Sequence, residues 1–416
     1  MKERILKSLA AALVAALFLS PAPSLAAGSV AKKPSNAGTS TFKLPTGPVK
    51  TRLPTTTPAA VPVGGGPGVF ALPQGSPSVT KARGEANVSS FSGEIGKNAY
   101  GVNSKLWWPY STARVASSSS NGGGTVSDNP VSSTPYRQTG KLIMNFNGED
   151  FVCTASLVKP GVLVTAAHCV HEFGQGSAGF ADQVAWIPAN TDDPFGLDPG
   201  PFGVWNAVDW YIPTSYFNGT DTCDKNAPGV VCNNDLALVV LETKVSGTAG
   251  SVLGGYYGYG TNGFGFVKTP AFKNAITADI TQLGYPVAFD GGLQMQRNNS
   301  FGKYIVQKGR TTSRKPLLNV QLGSAMTGGS SGGPWLVNFG TRPNVSYPGD
   351  LGYASDSNIV VGVTSWGYTG LPGVNVQGSS FFGQNIEYPL SNYGGYGAGN
   401  IGSLMQDVCT AYAASC

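Results

Sequence analysis

Charge is scarce in this 416-residue chain: Asp, Glu, Lys and Arg make up 12% of it, against about 25% in an ordinary soluble domain. The formal net charge is +5, of which Lys2, Glu3, Arg4 and Lys7 at the N-terminus contribute +2, leaving +3 for the rest. No basic block or tail stands out, which argues against a nucleic-acid partner. Histidine is rarer still, with only His168 and His171, so any imidazole chemistry must use one of them. Cysteine is absent before Cys153. No apolar run reaches the ~18 residues that a membrane-spanning helix needs. What the chain does have is 58 Gly, 29 Pro and 41% apolar residues, enough for a sizeable core and many turns. That balance predicts a glycine-rich all-β protein with an unstructured portion.

The N-terminus carries a cationic stretch, Met1 to Lys7, then a short apolar run, Leu9 to Leu19, then Ser24-Leu25-Ala26 with small residues flanking a cleavage point. Residues 1–26 therefore read as a secretory signal peptide, and the mature protein is expected to be exported, without a membrane span. From Ala27 to about Thr80 the chain is mostly Pro, Thr, Gly, Ser and Ala, with too little apolar periodicity to offset the entropy of folding. Residues 84–115 differ, because Phe91, Tyr100, Leu106, Trp107, Trp108 and Tyr110 give something to bury; they predict a pro-segment that packs against the domain that follows. The expected organisation is a largely disordered linker or pro-segment over 27–115, a Ser/Gly-rich spacer over 116–135 that is open to cleavage, and one folded domain over 136–416.

Within that domain short apolar runs alternate with Gly, Pro and Asn: 141–146, 151–158, 162–167, 183–187, 236–241, 279–283, 317–322, 335–338 and 359–364. Such spacing predicts a barrel or sandwich. Only Ser403 to Ala413 has a helical period, with Leu404, Val408 and Tyr412 on one face. The six cysteines, an even number in an exported chain, predict disulfides. Closeness in sequence favours Cys153 with Cys169, Cys223 with Cys232, and Cys409 with Cys416. The Tyr-, Phe- and Gly-rich stretches 253–267 and 381–399 read as exposed loops and barrel edges.

Three stretches carry chemistry. Thr327-Gly328-Gly329-Ser330-Ser331-Gly332-Gly333-Pro334 sets serine among glycines, a turn tight enough to expose one hydroxyl while aiming backbone N–H groups at one point. Leu163-Val164-Thr165-Ala166-Ala167-His168-Cys169 delivers a histidine from a β-type run, and Asn233-Asn234-Asp235-Leu236-Ala237-Leu238 opens a buried-strand pattern with an aspartate. A serine hydroxyl hardly ionises at neutral pH and needs a base; an imidazole, ordinarily near ~6.5, can take the proton and return it to a leaving group. A buried carboxylate on the far ring nitrogen holds the tautomer and stabilises the imidazolium. Asp209, Asp221 and Asp224 compete with Asp235 for that part, but only Asp235 heads a buried strand. His171 has no carboxylate-histidine motif around it and reads as a loop side chain rather than a metal ligand.

Thr165-Ala166-Ala167-His168-Cys169, Asp235-Leu236-Ala237-Leu238 and Gly329-Ser330-Ser331-Gly332-Gly333-Pro334, followed by Ser365-Trp366-Gly367, resemble the signature set of the trypsin/chymotrypsin-type serine peptidases in content, order and rough spacing. The resemblance covers about residues 115–416 and implies two six-stranded antiparallel β-barrels with the active site between them. It also implies a triad of His168, Asp235 and Ser331, with Ser331 rather than Ser330 as nucleophile, and an oxyanion site at the N–H groups of Gly329 and Ser331. It places a bridge between Cys153 and Cys169 that pins the histidine loop. Leu283-Gly284-Tyr285-Pro286 and Met295 look more like the bacterial glutamyl-endopeptidase-like branch, yet Thr364 stands where glutamate-specific members carry histidine. Ser330 stands where animal members carry the aspartate that pairs with a freed N-terminus. Ala325 and Met326 would form the floor of the specificity pocket, with Thr364, Ser365, Trp366 and Gly367 alongside the substrate. With no acidic residue there, a neutral P1 side chain is expected, in a monomer that acts on protein or peptide and needs no metal or organic cofactor. The rival expectation is a protease-fold binding or adhesive protein without catalysis. An α/β-hydrolase-type esterase is disfavoured because its triad runs Ser, Asp, His along the chain.

Overall fold

The computed structural model describes residues 30–32, 50–51, 99–102, 108–115, 131–191, 200–340, 356–367 and 375–416. The expected signal peptide, most of the linker and the Ser/Gly-rich run 116–130 lie outside the described residues.

The first barrel is built from β1 (Thr139–Phe146), β2 (Glu149–Lys159), β3 (Val162–Thr165), β4 (Gln183–Pro188), β5 (Trp205–Pro213) and β6 (Ala237–Leu241). Its antiparallel ladders run β1 to β2, β2 to β3, β3 to β6, β6 to β5, β5 to β4 and β4 back to β1, so it is closed by backbone hydrogen bonds all the way round. Leu142, Leu157, Leu163, Trp186, Leu238 and Val240 fill it, all fully excluded from solvent. Between β3 and β4 the chain makes a single helical turn, α1 (Ala167–Val170).

The second barrel uses β7 (Ala275–Gly284), β8 (Gln296–Gln307), β9 (Leu317–Gly323), β10 (Pro334–Val337), β11 (Ile359–Val363), β12 (Trp366–Gly367) and β13 (Val376–Ser380). Here the order is β10, β7, β8, β9, β13, β12. The ring closes because β12 continues β11, which pairs with β10. At the break, Ser365 N donates to Gly378 O at 2.9 Å and Val363 N donates to Ser379 Oγ at 3.0 Å, so β11 and β12 act as one interrupted strand and the barrel counts six. The two six-stranded barrels expected from the resemblance are therefore both present.

The longest helix, α2 (Gly399–Ala411), begins four residues earlier than its period predicts and lays Ile401, Leu404, Met405 and Val408 against β5 and β6. All three expected disulfides are formed: Cys153–Cys169, Cys223–Cys232 and Cys409–Cys416. No described helix is long and apolar enough to cross a membrane.

Pieces of the N-terminal region add strands to both barrels. Val30–Lys32 pairs with β5, and Lys50–Thr51 runs parallel to β2. Pro109–Arg114 pairs with β8 from Tyr110 opposite Ser300 to Arg114 opposite Gln296, and Ala99–Val102 pairs with it in turn. Arg114 then locks onto Asp290 with two hydrogen bonds, Nε to Oδ2 at 3.0 Å and Nη2 to Oδ1 at 2.8 Å.

Candidate active site

The apolar run of β3 stops at Thr165, two residues short of the expected Ala167, because the backbone turns at once into α1. That turn carries His168. Cys169, the next residue, is tied to β2 through Cys153, so the turn is anchored on one side covalently. On the other side stands Asp235, fully buried, at the mouth of β6 beside β3. One carboxylate serves both the backbone and the ring of the histidine: His168 N donates to Oδ1 at 2.9 Å and Nδ1–H donates to Oδ2 at 2.8 Å. Two bonds from one residue fix the plane of the carboxylate and leave Nε2 as the free ring position. Nε2 is buried and has no hydrogen-bond partner among the described residues.

The second barrel contributes to the same carboxylate. Ser365 Oγ lies 2.5 Å from Asp235 Oδ2 and 2.5 Å from Val230 O, so its single proton is shared between two acceptors at the barrel interface. Sequence reasoning put Ser365 along the substrate; its hydroxyl also braces the aspartate. Nothing in the local pattern signals this, because the contact spans 130 residues.

The glycine-serine loop is held from both barrels. Thr154 of β2 donates its N–H to Ser331 O at 2.7 Å and its Oγ1–H to Gly329 O at 2.8 Å. From the other side Gly332 N donates to Thr364 O at 2.7 Å. Glycine is required at two of these positions. Gly329 has φ +92°, and an added Cβ there would lie 2.3 Å from Tyr285 O. Gly332 has φ +77°, and its Cβ would lie 2.0 Å from Thr165 Oγ1 and 3.1 Å from Ala166 N. The backbone beside Ser331 thus nests directly on the segment that becomes His168. Within the loop, Ser330, Gly332 and Gly333 donate their N–H groups to Thr327, Thr364 and Ser330 carbonyls, whereas those of Gly329 and Ser331 have no acceptor among the described residues. Ser330 Oγ donates to Thr327 O at 2.6 Å, an internal tie where an aspartate would instead seek a cation.

The rival aspartates are engaged elsewhere. Asp209 pairs with Lys32 at 2.8 Å, which raises that ammonium to about 12, and Asp224 Oδ1 accepts from Asn226 N. Asp221 accepts from Asn234 N at 2.9 Å and Asn234 Nδ2 at 2.7 Å, so it holds the residue next to Asp235. Burial, with Glu387 nearby, pushes its carboxyl well above the ordinary range. His171 donates Nε2–H to Gly176 O at 2.7 Å among the rings of Phe180, Tyr216 and Phe217, a packing role. Among the described residues two groupings have metal-like spacing, Cys153-His168-Cys169 and Asp221-Cys223-Cys232, but their sulfurs are spent in disulfides and are not thiolates.

Of the expected pocket residues, Ala325 and Met326 follow β9 and Thr364 sits at the break between β11 and β12. The Trp366 indole is core: it is 4% exposed and donates Nε1–H to Asn319 Oδ1 at 2.8 Å, so only the backbone of β12 is offered to a ligand. Gln282 and Gln377, which sequence reasoning missed, join this region through buried amide hydrogen bonds to Thr364 and Met326.

Several known proteins are similar to this chain. A glutamyl endopeptidase of Bacillus licheniformis is 24% identical over 232 residues, 56% of this chain and 58% of the relative. A Bacillus subtilis protein named extracellular metalloprotease is 26% identical over 174 residues, 41% of this chain and 47% of the relative. The chain spans about half the length of these curated relatives. Among solved structures, the protease Anisep from Arthrobacter nicotinovorans is similar with 22% identity and TM-score 0.42, covering 60% of this chain and 92% of that one. A Glu endopeptidase in complex with MPD follows with 16% identity and TM-score 0.40, covering 73% and 96%. The family model described as Trypsin matches residues 131–378, more than half of the chain, and the protein belongs to the trypsin family.

Proposed function

We propose that this protein is a secreted serine endopeptidase, made with a signal peptide and a pro-segment, that cleaves peptide bonds through Ser331, His168 and Asp235. The observation that carries the reading is the pair of hydrogen bonds from His168 to Asp235, which leaves Nε2 without a partner among the described residues, on a turn whose preceding residues abut Gly332 next to Ser331.

In this mechanism Ser331 Oγ attacks the scissile carbonyl carbon while its proton passes to His168 Nε2. Asp235 accepts from Nδ1–H throughout and stabilises the imidazolium. The carbonyl oxygen, now an anion, is met by the N–H groups of Gly329 and Ser331, which are already oriented and cost no reorganisation. His168 returns the proton to the leaving amine, the C–N bond breaks, and an acyl-enzyme remains. Water, deprotonated by the same imidazole, then releases the acid and restores Ser331. The substrate backbone adds as a strand to β12, and its P1 side chain enters between β12 and the segment Ser324–Met326. The absence of an acidic group there favours a neutral P1 residue, in a protein that works as a monomer outside the cell.

An organophosphonate probe tests the reading. Stoichiometric covalent labelling of Ser331 is expected in the secreted protein, with none in Ser331→Ala. An unlabelled, correctly folded wild-type protein would point instead to a binding protein on a protease fold.

A further inference from the structure

The hairpin that leaves β8 and enters β9 reads Lys308-Gly309-Arg310-Thr311-Thr312-Ser313-Arg314-Lys315-Pro316, four cations and no acid in a chain that is poor in charge. Apart from Arg314-Lys315 they are separated by uncharged residues, so along the sequence they make no basic block. The fold gathers them and adds a fifth. Lys225, inside the loop closed by Cys223 and Cys232, donates its N–H to Arg310 O at 3.0 Å, and Thr312 N donates to Cys223 O at 2.8 Å. Cys223 N donates to Thr312 Oγ1 at 3.2 Å, and Thr311 Oγ1 donates to Lys315 O at 2.8 Å. Two loops, one from each barrel, are thereby held as one platform. Lys225, Lys308, Arg310, Arg314 and Lys315 are all exposed on it. Among the described residues none of the five pairs with a carboxylate; the ion pairs there are Lys32–Asp209, Arg114–Asp290, His168–Asp235 and Lys244–Glu242. The acids around the platform serve other donors: Asp224 accepts from Asn226 N, Asp221 from Asn234, and Glu387 from Thr222 and Asn233. A patch of one sign without counter-charges repels itself and draws anions.

The platform flanks the cleft. Leu317, where β9 begins, joins Ala227, Val230, Val231 and Trp366 in one buried apolar cluster, so the hairpin stands next to β12. β12 leads away from Ser365, whose hydroxyl meets Asp235. A peptide added antiparallel to it therefore runs the residues before its scissile bond along Trp366 and Gly367. We propose that the five cations bind an acidic stretch of the polypeptide substrate on the N-terminal side of the bond that is cut. The inference rests on the peptidase reading above. Carboxylates suit the platform because Arg310 and Arg314 carry planar forks that take one with two parallel hydrogen bonds, while the three lysines add point charges around them. Each exposed pair is weak in water, so the surface acts through several carboxylates at once and loses its hold as salt screens them.

The test compares two fluorogenic peptides that differ only in carrying Glu or Gln at the fourth to sixth positions before the scissile bond. Their kcat/KM ratio is read in the secreted protein and in a quadruple variant, Lys308→Gln, Arg310→Gln, Arg314→Gln and Lys315→Gln. The wild type should favour the Glu peptide by about tenfold at low salt and by less as salt rises, and the variant should bring the two within about twofold. A second arm needs no catalysis: the anisotropy of a fluorescein-labelled hexaglutamate peptide on Ser331→Ala protein should rise, and the four changes should abolish the rise. Phosphonate labelling keeps the two readings apart. Hexaglutamate binding that the four changes abolish, in a folded wild type that the phosphonate does not label, sinks the peptidase reading and keeps the acidic surface. A labelled wild type with a Glu to Gln ratio within about twofold and no anisotropy change overturns the proposal. Heparin binding that the variant loses, with no response to the acidic peptides in either arm, also overturns it and assigns the platform to sulfated polysaccharide. Should the quadruple variant not fold, Lys225→Gln with Lys308→Gln is read by the same ratio, which should fall about threefold.

Discussion

The first barrel is lined by Leu142, Leu163, Leu238 and Val240, whereas buried positions in the second include Gln282, Asn298, Gln321 and Gln377. Their closures differ in the same sense. Backbone ladders join every neighbour in the first, while the second depends on β11 breaking at Thr364-Ser365 and resuming as β12. The dry barrel holds His168 and Asp235, whose geometry must not vary. The more polar one holds the loop of Ser331. The second barrel also keeps an apolar cluster of Ile280, Val320, Leu322, Trp335 and Val361, so its buried amides stand beside an apolar core and do not replace it.

If the division is right, the largest effect should come from the dry side. Asp235→Asn is expected to lower kcat by about 10⁴-fold by favouring the wrong imidazole tautomer, as measured on the best peptide substrate. A loss of less than tenfold would break the contrast. Next comes the outer support of the more polar barrel: Arg114→Ala strips the cation from Asp290, whose side chain is 4% exposed, and should cost about 3 kcal/mol in urea unfolding. Thr364→Val removes the acceptor that Gln282 Nε2 reaches at 2.8 Å and Trp335 Nε1 at 2.9 Å. It should cost about 1–3 kcal/mol, because two buried donors lose their partner.

The smallest effect concerns pH and lies between the barrels. Burial, and after it Glu387, raise the Asp221 carboxyl well above the ordinary range. A group raised in the folded state contributes its stability fully below its unfolded value, and the contribution fades as pH rises through the folded value. Relative to wild type, Asp221→Asn should therefore gain in melting temperature as pH goes from acid to mildly alkaline. A difference that is flat or slopes the other way would remove Asp221 from the account.

The same contrast explains what could be read in advance. Nine of the twelve barrel strands, counting β11 and β12 as one, run through apolar stretches such as Val162-Leu163-Val164 and Leu238-Val239-Val240, and these are visible as hydrophobic runs. β8 and β13 are not visible, because apart from Val376 the side chains they bury are Gln296, Asn298, Ser300, Gln377, Ser379 and Ser380. A polar residue turned inward leaves the alternation of a strand without its hydrophobic signal. β5 escaped for a different reason: Trp205-Asn206-Ala207-Val208-Asp209 mixes apolar and polar positions without strict alternation. Among site residues, His168, Asp235 and Ser331 announce themselves through their neighbours, but Thr154, Ser365 and Gln377 do not.

By itself the sequence determined the presence of two β-rich halves, the nearby disulfide partners and the order of histidine, aspartate and serine, since each is written in local runs and spacings. Only the tertiary structure decided which aspartate meets His168, that Thr154 and Thr364 grip the serine loop from opposite barrels, and that Gln377 lies under Gly367. Those contacts join residues distant along the chain, and barrel closure, not local pattern, brings them together.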